Sequence, residues 1–347
     1  MRGLVERLGS SIWASATVVL ACSSGGHLAP ASPTVPASSA VPAAKAVTSP
    51  PATELSASGA DVDCQKNEAL SDEIALDGDR RVKIDVDGAI EHYQRALEIF
   101  PTGYSTLWKL ANACEKKEDW PCEVDAMTRA CKLAPKYARF WYKLGYALVM
   151  LGESGDVGAF ERAKAPLKRC IETDANLAEC HHFLGEALEW TGDEQSALIA
   201  YSAAIERNPE NRFSYVPLAE LYMNLGLYQQ AKGVLQEGKR LMPVDQRTVH
   251  THYLMHVLSA SIARIEGDQN ELLQALKQAE AYTGEGHPEN NFTLGSAYAV
   301  MNPPQKEPAI RLLNQFIKRV CRGSGAARFK EQCEMASTLM QRLGAIP

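Results

Sequence analysis

Residues 141–145 read WYKLG and residues 197–209 read ALIAYSAAIERNP, and these two stretches decide the fold. The Leu-Gly that ends the first stretch follows Leu-Ala at residues 110–111 by 34 positions. The same step of 34 separates Leu-Gly at 184–185 from Leu-Ala at 218–219. Between these pairs the step is 40, which is 34 plus an insertion of six. A period of this length indicates helical hairpins, which need their neighbours to bury an apolar face.

Two further markers keep the same period. Helix-ending prolines lie 34 positions apart, from Pro101 to Pro135 and from Pro209 to Pro243. One small position also keeps its place in the repeat, and it is occupied by Ala96, Ala130, Cys170, Ala204 and Gly238. Because leucines, prolines and small residues share one period, we predict a helical array within residues 62–347.

These residues resemble the tetratricopeptide repeat (TPR) family. Residues 141–145 match the opening of its first helix, and Ala197, Tyr201, Ala204 and Pro209 match its second helix and helix end. Small residues at the two helix crossings let the backbones approach closely, and large apolar ones fill the gaps around them. The resemblance implies an all-α fold: a right-handed α-solenoid of about seven TPR-like helical hairpins plus a C-terminal capping helix.

The chain divides into four parts by composition and repeat strength. We predict a lipoprotein-type signal peptide at 1–21, a lipidated cysteine and disordered tether at 22–61, five TPR-like units at 62–243, and degenerate units with the capping helix at 244–347. The six-residue insertion, around residues 153–158, predicts a longer loop on one rim of the third unit.

The N-terminus has the layout of an export signal. Arg2 and Arg7 precede an apolar run of 14 residues, which is shorter than the roughly 20 that span a bilayer. The Val-Leu-Ala-Cys sequence at 19–22 resembles the lipobox of bacterial lipoproteins, which implies lipidation of Cys22 and attachment to the outer membrane, with the domain in the periplasm. The alternative is an ordinary signal peptide cleaved nearby. Residues 23–60 contain six prolines and no aromatic residue, a composition that predicts a disordered tether.

Composition and motifs argue against several function classes. Hydrophobic residues make up 46% of the 347 positions and the net charge is -6, so a polytopic membrane protein, a fully disordered chain and a nucleic-acid-binding protein are all disfavoured. A nucleophile elbow, a Walker loop and an HExxH motif are absent from the sequence. His252 and His256 have metal-chelating spacing on a helix, but the better interpretation is a polar helix face. We therefore predict no enzyme activity, cofactor, metal or small-molecule substrate.

The cysteines predict disulfides. Apart from Cys22 there are eight, an even number in a chain with an export signal. Three pairs flank turns or loops and are candidates for bonding: Cys114 with Cys122, Cys170 with Cys180, and Cys321 with Cys333. Cys64 and Cys131 remain and are paired only by elimination. The alternative is that these cysteines are small buried hydrophobic residues.

The TPR resemblance also implies where a partner binds. In that family the first helices line a concave groove for an extended peptide or a helix. The groove-facing candidates are Trp108, Asn112, Tyr142, Tyr146, His182, Glu186, Glu189, Phe213 and Glu220. One branch of the family clamps a C-terminal carboxylate, and of its clamp residues only Asn112 is matched here. Aromatic residues beside three carboxylates instead favour a protein partner with basic or aromatic segments. The alternative is that Tyr142 and Phe213 pack in the core.

These features together predict a non-enzymatic scaffold for protein–protein interactions, tethered to the bacterial envelope by its N-terminal lipid. One alternative is an accessory or regulatory subunit of an envelope enzyme, or of a secretion, pilus or outer-membrane assembly machine. The other is an independent hydrolase or metal-dependent enzyme.

Overall fold

The structure, a computed structural model, describes residues 59–283, 287–322 and 327–345. These residues form helices and turns without any strand. The α-helices are α1 (Gly59–Arg81), α2 (Val86–Ile99), α3 (Tyr104–Lys116), α4 (Trp120–Leu133), α5 (Ala138–Glu153), α6 (Gly158–Thr173), α7 (Ala178–Trp190), α8 (Glu194–Arg207), α9 (Tyr215–Asn224), α10 (Tyr228–Leu241), α11 (Val249–Glu266), α12 (Gln269–Glu280), α13 (Glu289–Ala299), α14 (Lys306–Phe316) and α15 (Lys330–Arg342). A π-helical segment, Ile317–Cys321, continues α14.

Consecutive helices pack as hairpins. Unit 1 is α1 with α2, unit 2 is α3 with α4, and the pairing continues to unit 7, which is α13 with α14; α15 follows as a cap. Among the described residues, those from Leu70 onward form one compact body, and residues 59–69, the first part of α1, belong to a separate unit. The prediction of an all-α solenoid with about seven hairpins and a capping helix is confirmed. The predicted signal peptide, Cys22 and residues 23–58 of the predicted tether lie outside the described residues, and residues 59–61 of that tether belong to α1.

Small residues on the first helices make the close crossings possible. A Cβ atom placed on Gly145 would lie 2.4 Å from Leu167, and one on Gly185 would lie 2.7 Å from the ring of Tyr201. Leu167 and Tyr201 are both buried on the second helix of the same unit. In units 3 and 4 the Leu-Gly marker is therefore the point at which the hairpin closes, because glycine there leaves room for the facing side chain.

Aspartates begin several of the second helices. The side chains of Asp119, Asp193 and Asp268 accept hydrogen bonds from backbone N–H groups in the first turns of α4, α8 and α12, at 3.1, 3.1 and 2.9 Å. Each of these bonds satisfies an N–H group that the helix itself leaves unpaired. The turn between the helices of a hairpin is thus fixed by local side-chain chemistry.

The six-residue insertion in unit 3 lengthens its helices. Helices α5 and α6 have 16 residues each, compared with 13 and 14 in unit 2, and the turn between them grows from three residues to four. The prediction of a longer loop therefore holds for only one of the six added residues, and the other five extend the two helices. The added turns pack: Phe160 is fully buried, it faces Gly152, and its ring stacks on Trp190 at 4.7 Å. Burial of such a ring stabilises the fold by about 1.5–3 kcal/mol. A solvated loop would leave the ring exposed and would not gain this stabilisation.

Three disulfides join neighbouring elements. Cys114–Cys122 links α3 to α4, Cys170–Cys180 links α6 to α7, and Cys321–Cys333 links the π-helical segment to α15. These are the three pairs that flank turns or loops in the sequence. Cys131 is a free, buried cysteine, so its pairing with Cys64 by elimination is wrong. It lies beside Ala130 in α4 and packs there as an apolar side chain.

A membrane-spanning helix is not found among the described residues, since none of their helices is both long and apolar enough.

Candidate functional site

The nine candidate groove residues lie on successive first helices. Eight belong to α3, α5, α7 and α9, and Phe213 lies two residues before α9. We call this surface the first-helix face. Eight of the nine side chains are partly exposed, and the exception is His182.

Aromatic side chains form a connected ladder along the first-helix face. The rings of Tyr142 and Tyr146 stack at 6.3 Å, and both contact Phe183 of the next unit, at 6.0 and 5.1 Å. Phe183 in turn lies 4.8 Å from His182, which lies 5.8 Å from Phe213. Side chains from units 3, 4 and 5 therefore form one contiguous, partly exposed aromatic surface.

Lys143 connects this ladder to unit 2. Its ammonium group lies 5.4 Å from the ring centroid of Trp108 and 5.9 Å from that of Tyr146, both within reach of a cation–π contact. It also donates a hydrogen bond to Glu115 at 2.5 Å and lies 3.1 Å from Glu123. Lys143 is only 5% exposed and is therefore held inside the surface by these groups.

The electrostatics around Lys143 are those of a buried ion pair. Glu123 is completely buried, and its oxygens have no hydrogen-bond partner of good geometry. Burial raises the pKa of Glu123 from 4.5 to about 7, although the charge of Lys143 lowers it. Burial and nearby carboxylates, Glu179 first among them, also raise the pKa of Tyr142 to about 12.

His182 is buried, with 7% of its surface exposed. Its Nδ1 is 3.2 Å from the Ser214 hydroxyl, and its ring packs against Phe183, Tyr201 and Phe213. Burial lowers the pKa of His182 to about 3, so the ring is neutral. His182 therefore lies beneath the first-helix face and supports it. Its burial does not fit the prediction that it faces a partner.

Asn112 lines an open pocket of about 660 Å³ at the start of the first-helix face. The same pocket is lined by Asp79, Tyr93 and Lys109. Asp79 accepts hydrogen bonds from the Tyr93 hydroxyl and from the Lys109 ammonium group, both at 2.8 Å. The charges of Asp79 and Lys109 thus neutralise each other across units 1 and 2.

The carboxylates predicted for the groove come together in units 4 and 5. Glu189 accepts a hydrogen bond from the buried Tyr201 hydroxyl at 2.9 Å. Burial and then the charges of Glu189, Glu186 and Glu220 raise the pKa of Tyr201, so all three carboxylates act on one hydroxyl group. Burial and the neighbouring Glu153 raise the pKa of Glu186 as well.

The histidines of α11 serve packing. His252 and His256 are 2% and 8% exposed, and both rings stack on Tyr282, at 5.4 and 5.5 Å. They do not form a solvated polar helix face, because Tyr282, just beyond α12, covers them. Across residues 59–283, 287–322 and 327–345, no group of three His, Cys, Asp or Glu side chains is placed to hold a metal ion.

Sequence reasoning missed the residues that link the groove candidates. Lys143, Phe183, Glu115, Glu123 and Glu153 are not among the groove residues that the sequence predicts. One signal was available: Lys143 lies beside Tyr142 in an otherwise apolar stretch, and an isolated lysine there requires buried partners.

Comparisons with known proteins find partial similarity to several solved structures. No family model matches the sequence, and no curated protein matches it. Among solved structures, MamA is 25% identical with a TM-score of 0.43, over 47% of this chain and 92% of MamA. TTC0263, a thermophilic TPR protein from Thermus thermophilus, is 20% identical with a TM-score of 0.41, over 55% of this chain and 98% of that one. PilW, a widely conserved type IV pilus biogenesis factor, is 15% identical with a TM-score of 0.48, over 62% of this chain and 92% of PilW.

The pairing of the helices, and the crossings at which Gly145 and Gly185 face Leu167 and Tyr201 of the second helices, define a solenoid of the tetratricopeptide type.

Proposed function

We propose that this protein is a non-enzymatic scaffold that holds an extended or helical segment of a partner protein on its first-helix face. The observation that carries the proposal is the ladder from Trp108 through Lys143 and Tyr146 to Phe183 and Phe213, which spans units 2 to 5. Rigid, partly exposed aromatic side chains supply most of the energy at protein interfaces. A ladder over four units suits a linear segment better than a compact ligand.

The proposal includes a location. The lipobox-like sequence before Cys22 supports a lipid anchor at the outer membrane, and the proline-rich residues 23–60 support a tether between the anchor and the solenoid. The three disulfides support an oxidising compartment such as the periplasm. The N-terminal sequence and the disulfides are independent of the binding face, so the location and the binding can be tested separately.

Site-specific photocrosslinking in the producing cell tests the binding face. A photoreactive amino acid replaces Phe183 in one variant and Ile199 in the other. Ile199 is the matched control, because it is apolar, 72% exposed and on the second helix α8. We expect a discrete protein adduct from position 183 and none from position 199. Equal labelling at both positions, or none at either, contradicts the proposal.

The lipid anchor has a separate test. Mass spectrometry of the N-terminal peptide from membrane-extracted protein should give a Cys22 peptide carrying two or three acyl chains. A Cys22→Ala variant should lose that modification and leave the membrane fraction. An unmodified N-terminus would remove the membrane part of the proposal and leave the binding part standing.

A further inference from the structure

The junction between units 2 and 3 is rich in positive charge. Residues 126–152 contain five lysines and arginines and no aspartate or glutamate. Arg129 pairs with a carboxylate of its own helix, and Lys143 is held in the buried ion pair described above. The other three are exposed and form no ion pair with any residue that the structure describes: Lys132, Lys136 and Arg139.

These three cations lie where one unit passes into the next. Lys132 is in the last turn of α4, Lys136 is in the loop that follows, and Arg139 is in the first turn of α5. The corresponding loops that follow units 3, 4 and 5 each contain a carboxylate: Asp174, Glu210 and Asp245. The loop after unit 2 is therefore a local basic site on a chain whose net charge is -6.

Exposed apolar side chains lie among the cations. Tyr137 is 50% exposed, Leu133 is 41% exposed, and Tyr104, from the start of α3, is 56% exposed. The rings of Tyr137 and Tyr104 both contact the buried Phe140, at 4.5 and 6.2 Å. We call this surface the rim patch, and its members are Tyr104, Lys132, Leu133, Lys136, Tyr137 and Arg139.

Hydrogen bonds hold the loop of the rim patch in place. The indole N–H of Trp141 donates to the Pro135 carbonyl oxygen at 2.8 Å, and the backbone N–H of Tyr137 donates to the Ala134 carbonyl oxygen at 3.1 Å. The exposure of Tyr137 is therefore fixed by the loop itself. Its ring can contact a surface outside the protein without any rearrangement of the backbone.

We infer that the rim patch binds a lipid surface that carries anionic headgroups. Lysine and arginine side chains gain energy near such a surface without a defined partner geometry, and tyrosine rings insert among headgroups while their hydroxyls stay hydrated. The patch offers positive charge and amphipathic rings but no carboxylate to orient a peptide, which favours a headgroup layer over an acidic protein segment. This activity goes beyond the proposed function, because the rim patch shares no residue with the aromatic ladder.

Photocrosslinking to vesicles tests the inference on the full chain. Benzoylphenylalanine replaces Tyr137 in one variant and Ile199 in the other, and Ile199 is an exposed apolar residue of the second helix α8. The vesicles contain phosphatidylcholine, either alone or with about 30% phosphatidylglycerol. Any attachment through the N-terminus is common to both variants, so the difference between them reports on the rim patch.

We expect a lipid adduct at position 137 that phosphatidylglycerol increases about 10-fold, and no such increase at position 199. Most of the increase should disappear when the NaCl concentration rises from about 50 to about 300 mM, because salt screens exposed charges.

Charge variants identify the groups responsible. With the crosslinker at position 137, Lys132→Gln/Lys136→Gln/Arg139→Gln should lose the increase that phosphatidylglycerol causes. The matched control is Arg162→Gln/Lys168→Gln/Arg169→Gln, which removes three exposed cations of the second helix α6 and should keep the increase. Both variants should unfold at nearly the wild-type temperature by circular dichroism, because exposed charges contribute little to stability.

Every other outcome overturns the inference. An adduct at position 137 that ignores phosphatidylglycerol, or that persists unchanged in the rim variant, would report only proximity through the N-terminus. An equal loss in the control variant would mean general attraction between charges. In the producing cell, a protein adduct at position 137 in place of a lipid adduct would mean that an acidic protein covers the rim patch. None of these results affects the crosslink expected from position 183, on which the scaffold function depends.

Discussion

The ammonium nitrogen of Lys143 lies 3.1 Å from a carboxylate oxygen of Glu123, a residue with no exposed surface. Lys143 belongs to α5 of unit 3 and Glu123 to α4 of unit 2, so this ion pair joins two units beneath the aromatic ladder. The same ammonium group touches the rings of Trp108 and Tyr146. The pair therefore couples the stability of the array to the geometry of its binding face.

Removing the cation should destabilise the fold. Lys143→Met keeps the length of the side chain but leaves Glu123 buried without its counter-charge. We expect a loss of about 3 kcal/mol in unfolding free energy at pH 8, from urea unfolding followed by circular dichroism. Lys109→Met is the matched control, because its ion pair with Asp79 is partly exposed, and it should lose less than about 1 kcal/mol. Equal losses in the two variants would contradict this account.

Protonation of Glu123 predicts a pH dependence of stability. Its pKa is raised by burial to about 7 in the folded protein, from 4.5. Between these values the unfolded chain releases a proton that the folded chain retains, so stability falls as the pH rises from 4.5 to 7. The penalty is absent below pH 4.5, complete above pH 7, and at most about 3 kcal/mol.

Glu123→Gln should remove this penalty. Melting temperatures at pH 4.5, 6 and 8 should drop less in the variant than in the wild type, and the variant should be the more stable of the two at pH 8. Glu161→Gln, which removes an exposed carboxylate, should follow the wild-type curve. A wild-type curve that rises between pH 4.5 and 7 relative to Glu123→Gln would refute the assignment.

The fold could be predicted because its repeat period is visible at positions where packing permits only a small side chain. Gly145 and Gly185 stand where a larger side chain would meet Leu167 or Tyr201, and a small residue recurs at this position: glycine in units 3 and 4, alanine in units 2 and 5. Spacing alone could not predict whether the insertion in unit 3 lengthens the helices or the loop between them, because extra residues can do either. Burial of Phe160 between Gly152 and Trp190 decides between them, and that is a tertiary contact.

The candidate site could be predicted only in part. Helical register placed Trp108, Tyr146 and Glu186 on one face, because residues of successive first helices are related by the repeat. Register does not say how far a side chain is buried, and so His182 was expected at the surface. The role of Lys143 depends on Glu123, a residue of another unit, and single-unit patterns contain no information about that contact.

The crossing glycines give a third prediction. Gly185→Ala would place a Cβ atom 2.7 Å from the buried Tyr201 ring and should cost about 1–3 kcal/mol, since the ring has no space to retreat. Gly233→Ala is the matched control: it lies within α10, and its Cβ atom would meet nothing within 4 Å. That variant should gain about 0.5–1 kcal/mol from helix propensity. Urea unfolding measures both, and a neutral Gly185→Ala would disprove the close crossing.

The disulfide between units 3 and 4 gives the last prediction. Cys170 and Cys180 close a loop with a sequence separation of 10, and a cross-link of that length stabilises the folded state by about 2–3 kcal/mol through the entropy of the unfolded chain. Cys170→Ala/Cys180→Ala should therefore unfold at lower urea concentration under oxidising conditions. The control is Cys131→Ala, which alters a buried free thiol without removing a cross-link.

Reductant distinguishes the two variants. Addition of a phosphine reductant during unfolding should lower the midpoint of the wild type and of Cys131→Ala by similar amounts. It should shift Cys170→Ala/Cys180→Ala less, because one cross-link is already gone. If the double variant instead keeps the full wild-type response to reductant, the stabilising cross-links are the other two, and the junction between units 3 and 4 is held by helix packing alone.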